Sequence, residues 1–300
     1  MDGEKETNRF SRLRRRLKTL FEAKRTALAR RGRESMAAVC GAAMIVGAVS
    51  PAAVRELPVN GEGAWEIIRE VIAEYDVPRD KIAVGFLNTV TGEECYYNGD
   101  RAFIGASLYK VALNMIWAKK VADGERGMDE VVWARYSLRV LQEGSLVNSN
   151  NIYATLLDNT LGNFQNARVK AAPYYGMTEE QAMRDRDYRE TTRITPRRMI
   201  ACLEKLYAEP ELYPGVLDCL FLAEPGRYLR LGNERWPIAQ KYGYIHDGGE
   251  NFAVAGIVYA EEPFLLVVMV RQRPDAEELM SRLCARLGEY TEAGAAAPGS

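Results

Sequence analysis

The four residues Ser107-Leu108-Tyr109-Lys110 are the part of this chain best suited to covalent chemistry. Residues three apart on a helix share a face, so the Lys110 amine can reach the Ser107 hydroxyl. A neutral lysine in that place can act as general base for a nucleophilic serine, a task histidine often performs. The start of a helix also favours developing negative charge. Histidine itself is nearly missing, since His246 is the one imidazole in 300 residues. A multi-histidine zinc site cannot be built from it, and a Ser–His–Asp triad would depend on it alone. Acid–base work is therefore expected from lysine, tyrosine or carboxylates, with no metal and no cofactor.

Two further polar groups follow. Ser149-Asn150-Asn151 sits in the polar run 148–151, ahead of the apolar helix expected over 152–161. Lys241-Tyr242-Gly243 sits on a strand-like run further on. Taken singly, each group has an ordinary structural reading. Ser107 and Ser149 would be helix caps, Lys110 a surface residue and Lys241 a solvent-facing strand residue.

The elements that must position these groups can be read from apolar periodicity. Ala64–Tyr75 places Trp65, Ile68, Val71 and Ile72 at helical spacing. Ile82–Asn88 and Glu94–Tyr97 form a hairpin around Thr91-Gly92. Ser107–Ala122 is a helix, and Met128–Tyr207 reads as helices and loops without a strand. Thr195-Pro196 opens another helix, with Thr as N-cap and Pro at the first helical position. The runs 237–244, 252–259 and 264–270 are strands, with turns at 246–249 and 260–263. Asp275–Tyr290 is a final amphipathic helix, followed by a frayed tail at 291–300. Strands at both chain ends, split by helices, predict an α+β fold. Its antiparallel sheet would be formed from both chain ends and flanked by helices, with an inserted all-helical subdomain over about residues 108–225.

In this order the three groups resemble S-x-x-K, S-D-N and K-T-G, the motif set of class A β-lactamases and penicillin-binding proteins. The resemblance to the class A β-lactamase-like serine hydrolases covers about residues 64–290. The segments 97–101, 149–162 and 192–199 resemble the family's approach to the nucleophile and its helical block. The resemblance implies that Ser107 becomes acylated, Lys110 assists its deprotonation and Ser149 passes a proton to the leaving nitrogen. It also implies that Asn151, Lys241, Gly243 and Tyr244 bind substrate. The backbone N–H groups of Ser107 and Tyr244 would form the oxyanion hole. The implied substrate is a small-molecule β-lactam or a peptidoglycan peptide, and a monomer is expected.

Three positions depart from the family pattern. Asn150 replaces the middle Asp, a hydrogen-bonding scaffold, and Tyr242 replaces Thr, putting a bulky ring at the substrate-facing strand. No E-x-x-x-N precedes Thr195-Pro196. An ungapped count reaches Glu179 as the candidate deacylation base, although Thr178-x-x-Gln181 also reads as a capping box there. Acylation machinery is thus expected with inefficient deacylation. The alternative is a catalytically weak or inactive domain of this fold that binds cell-wall material.

The net charge of −1 conceals an asymmetry. Residues 1–35 hold twelve Lys/Arg and five Asp/Glu, a net of +7, against −8 for the rest. Met36–Val54 then carries no charge over nineteen residues. As a helix it would be about 28 Å long, close to a bilayer core. Basic residues ahead of it predict that the arm stays in the cytoplasm. Residues 36–54 are thus expected to be a signal anchor or signal peptide, with 55–63 a linker and an extracytoplasmic or secreted catalytic domain beyond. A buried Ala-rich helix is the alternative for 36–54, and nucleic-acid binding by the arm would require that segment not to enter a membrane. Four cysteines lie beyond it, Cys95, Cys202, Cys219 and Cys284. They allow three pairings, with free buried thiols as the default.

Overall fold

A computed structural model describes residues 63–295. The basic arm, the apolar segment 36–54 and nearly all of the expected linker lie outside the described residues. Among the described residues no helix is long and apolar enough to cross a membrane.

The chain opens with helix α1 (Ala64–Glu74), whose Ile67, Ile68, Val71 and Ile72 are buried. Strands β1 (Ile82–Asn88), β2 (Glu94–Tyr97) and β3 (Phe103–Ile104) follow. A 3-10 turn at Ala106–Tyr109 leads into α2 (Lys110–Ala122). Next come β4 (Val131–Trp133), β5 (Tyr136–Ser137), α3 (Leu138–Leu146), α4 (Asn151–Thr160) and α5 (Phe164–Ala171). Helices α6 (Glu179–Arg184) and α7 (Arg186–Glu190) precede β6 (Arg193–Ile194), α8 (Pro196–Ala208) and α9 (Val216–Leu222). Strands β7 (Ile238–His246), β8 (Glu250–Val258) and β9 (Phe264–Arg271) then run into α10 (Ala276–Ala295).

The main sheet has the order β2-β1-β9-β8-β7, antiparallel throughout, so strands from both ends of the chain meet at the β1–β9 pair. Side chains alternate across it with a period of two. Val84 and Phe86 of β1, Val254 of β8, and Leu266 and Val268 of β9 share one core with Leu279, Leu283 and Leu287 of α10. On the opposite face α8 packs so closely that a Cβ on Gly85 would lie 3.0 Å from Ile200 Cγ1. Thr195 Oγ1 accepts the Arg198 N–H at the start of α8, the cap expected from Thr195-Pro196.

A second core joins the helices, with Leu113 and Trp117 of α2, Leu138 and Leu141 of α3, and Ala154 and Leu157 of α4. Helix α2 is buried at every position from Lys110 to Ala118. A helix enclosed on all sides runs through a core instead of covering one.

Some boundaries differ from the sequence reading. Strands do occur between residues 128 and 207: β4 pairs with β5, and β6 pairs with β3. Two or three residues are too few to display a strand period. His246 belongs to β7, paired with Glu250, and the turn is shortened to 247–249. Helix α10 continues through the expected start of the tail, because Thr291 is buried and its hydroxyl bonds to Gly288 O. Cys95, Cys202, Cys219 and Cys284 are free thiols.

Leu266 lies at the centre of β9 and is fully buried. Leu266→Ala is expected to cost about 2–5 kcal/mol. In urea unfolding the midpoint should fall with little change in slope.

Candidate active site

The site forms where the two cores meet, from the turn before α2, the loop between α3 and α4, and edge strand β7. The backbone entering it is unusual. Ala106 (φ 45°) and Ser149 (φ 52°) both adopt the left-handed region without being glycine. Such conformations cost about 1–3 kcal/mol each and persist where surrounding contacts enforce them. One of them aims Ser107, the next residue along; the other holds the serine of the second motif.

Lys110 is fully buried at the first position of α2. Its Nζ donates to Ser149 O and to Asn151 Oδ1, both at 2.7 Å. Lys241, also fully buried, donates from Nζ to Ser149 Oγ at 2.9 Å and to Tyr242 O at 3.0 Å. The two lysines therefore both hold Ser149, one by its carbonyl and the other by its hydroxyl. Behind Lys110, Asn114 Nδ2 donates to Lys110 O at 2.7 Å and to Ser145 Oγ at 2.9 Å, fastening α2 to α3.

Strand β7 runs directly against the Ser107 turn. A Cβ on Gly243 would overlap Gly105 O and lie 2.9 Å from Ser107 N. Glycine is required there by the close approach of two backbones. Tyr244, the next residue, is exposed, with its ring against Phe252 and its hydroxyl donating to Glu250 Oε1 at 3.3 Å. The segment 97–101 is anchored in turn: Asp100 pairs with Arg197 of α8 at 2.9 Å, and Gly99 O accepts the Arg197 N–H.

Lys110, Ser149, Asn151 and Lys241 are thus joined by hydrogen bonds, and Gly243 packs against the backbone of the Ser107 turn. Glu179 does not join them. It is exposed in the first turn of α6, where Thr178 and Gln181 form the capping box. Asn150, at the departure from S-D-N, is the N-cap of α4, its side chain accepting the Ile152 N–H at 2.8 Å.

The electrostatics follow from burial. Desolvation lowers Lys110 to about 8, offset in part by the Asp158 carboxylate. Lys241 is held well below its ordinary range by desolvation and by the charge of Lys110, with Glu224 opposing. Burial raises Asp158 to about 7, opposed by Arg168 and Lys110. Its Oδ1 has no hydrogen-bond partner among the described residues.

Sequence reading passed over Asp158 as one acid inside an apolar helix. The available signal was its spacing, since residue 158 lies seven positions after Asn151, two turns along the same face of α4. Arg168 was also missed. This buried guanidinium donates to Tyr188 O at 3.0 Å and Arg193 O at 3.3 Å, and lies 3.9 Å over the Tyr188 ring. It thereby ties α5 to α7 and to β6.

The model of the beta-lactamase enzyme family matches residues 63–291, and the chain belongs to that family. No curated protein matches it. Among solved structures it is similar to an ancestral class A beta-lactamase, with TM-score 0.62 and 20% identity over 74% of this chain and 99% of that one. A beta-lactamase from Chitinophaga pinensis gives TM-score 0.63 and 18% identity over 76% and 99% of the two chains. One from Burkholderia vietnamiensis gives 0.62 and 17% over 79% and 99%. At these identities the likeness is one of fold.

A carboxyl raised to about 7 when folded binds a proton that the unfolded chain has released above its ordinary range. Its contribution to stability is fully present below the unfolded value and is lost as pH rises through the folded one. Asp158→Asn should therefore melt higher than wild type at about pH 8, with the gap closing towards about pH 4. Melting curves across that range check this, and a gap independent of pH would contradict it.

Proposed function

We propose that the protein is a serine hydrolase that forms an acyl-serine intermediate at Ser107 with a β-lactam or a cell-wall peptide amide, and that the intermediate is long-lived. The observation that carries this reading is the burial of Lys110 with two hydrogen bonds already assigned. A neutral amine has two N–H groups and one lone pair. Donating to Ser149 O and Asn151 Oδ1 uses both hydrogens. The lone pair is then free to take the Ser107 proton.

In the proposed reaction Ser107 Oγ attacks the carbonyl carbon as its proton passes to Lys110 Nζ. Negative charge develops on the carbonyl oxygen and is met by the N–H groups of Ser107 and Tyr244, a type of contact worth about 3 kcal/mol per donor. Collapse breaks the C–N bond. Ser149 delivers its hydroxyl proton to the leaving nitrogen and regains one from Lys110, which returns the lysine to its neutral form. Lys241 holds the Ser149 hydroxyl in place throughout.

Hydrolysis of the ester would need a base to activate water. Glu179 is exposed on α6, and the carboxylate that acts on Lys110 is the buried Asp158. The missing E-x-x-x-N and the exposed Glu179 support slow deacylation. A domain that binds cell-wall material without turnover is the second reading, favoured by the Tyr242 ring beside Ser149. The uncharged run 36–54, after a basic arm, supports placing the catalytic domain outside the cytoplasm, anchored or secreted, as expected for either reading.

Full-length protein in detergent should be labelled covalently by a fluorescent β-lactam ester, and Ser107→Ala should abolish the label. The labelling rate should rise with pH through a midpoint near 8, as Lys110 loses its proton. Equal labelling of Ser107→Ala would overturn the reading.

A further inference from the structure

We infer that the pocket between β3, β6 and the end of β9 binds a phosphate oxyanion, either free or carried as the headgroup of a larger molecule. The pocket is separate from the catalytic lysines, and the inference does not depend on the acyl-serine reading.

Three arginines line this pocket, Arg101, Arg193 and Arg271, and no carboxylate lines it among the described residues. The arrangement follows from the short strand pair. The Phe103 ring of β3 is buried, and two guanidiniums lie over it, Arg101 Cζ at 5.6 Å and Arg271 Cζ at 5.8 Å from its centroid. A buried ring thus gathers two like charges. The third is brought by the β3–β6 register, which sets Arg193 opposite Ile104. Asn251 faces Arg271 across β8 and β9, with its amide committed to Asp247 O at 2.9 Å and Gly249 O at 2.8 Å.

The charges that contact these arginines do not cancel them. Asp80 accepts from Arg271 Nη2 at 2.8 Å, and Lys81 also acts on that carboxylate. Asp187 comes only within 3.8 Å of Arg193 Nε. Arg101 is exposed and forms no ion pair among the described residues. Arg101, Arg193, Arg271 and Lys81 therefore face two carboxylates, leaving an excess of positive charge. One donor is also left over. Arg271 Nε is buried without a hydrogen-bond partner among the described residues. A buried donor of this kind is costly until an acceptor reaches it.

The size of the pocket selects the ligand. Its volume is about 20 Å³, room for one oxygen atom and little more. The ligand must present single oxygens to the arginines and keep its body at the mouth. A carboxylate has two coplanar oxygens and one charge, the complement of one guanidinium. A phosphate has at least two charged or polar oxygens set tetrahedrally and, as a monoester, about two charges, which suits several guanidiniums at once. Held by all three, it would tie β6 and the Arg101 segment to the main sheet.

The test is titration calorimetry on the full-length protein in detergent at low ionic strength, with inorganic phosphate, glycerophosphoglycerol and acetate as separate probes. Phosphate is expected to bind roughly tenfold or more tightly than acetate, to raise the melting temperature, and to weaken in about 0.5 M sodium chloride. Arg101→Gln and Arg193→Gln should each weaken phosphate binding several-fold. Arg101 is exposed and unpaired, so its replacement leaves the fold intact, which the melting curve without ligand checks. Binding of phosphate and of the diester alike points to a headgroup, and binding of phosphate alone points to free phosphate or a monoester. Phosphate that binds no more tightly than acetate overturns the inference. So does phosphate binding unmoved in both variants, which would put the anion elsewhere, the basic arm included.

Discussion

The structure depends on keeping two lysines out of water at the junction of two cores. An isolated buried ammonium is costly, so its hydrogen bonds must be supplied by the protein. Lys110 and Lys241 meet that requirement through Ser149, which offers a carbonyl to one and a hydroxyl to the other. The strained backbone at Ser149, the Asn114 link between α2 and α3, and the close approach of Gly243 to the Ser107 turn all serve the same junction. Each lysine also has one acid acting on it from outside the cleft, Asp158 for Lys110 and Glu224 for Lys241. The two acids are placed differently. Asp158 is buried, whereas the Glu224 side chain is partly exposed.

The scaffold makes this junction possible by folding the chain back on itself. Strand β1, near the start of the described residues, pairs with β9, near their end, and the helices between are packed against the resulting sheet. Edge strand β7 therefore lies alongside the start of α2, more than a hundred residues earlier in the chain. The two lysines come from opposite sides of that closure. Loss of either core would separate them, so stability and chemistry are coupled at one place.

Much of this was legible in the sequence, for reasons that differ by element. The five long strands are apolar runs bounded by turn residues, and Thr195-Pro196 is a local cap, so both kinds of signal survive tertiary packing. The three motifs were legible because each is short and its order is characteristic of a family. What could not be read were features set by contacts across the chain. The short pairs β3–β6 and β4–β5 have no period of their own. Asp158 looks like an ordinary polar interruption until α2 is placed beside it. Glu224 and Tyr228 look like loop residues until Gln240 fastens their segment to β7. Departures from the family pattern were visible as residue types, Tyr242 above all, but what surrounds that ring depends on residues 14 and 18 positions earlier.

The central claim is that burial makes Lys110 a base near neutral pH. The most direct measurement is an NMR titration of the lysine ε-methylene signals in the full-length protein, with Lys110→Arg used to assign the resonance. A midpoint near 8 for Lys110 is the expected result. A midpoint in the ordinary lysine range, about 10.4, would contradict the account.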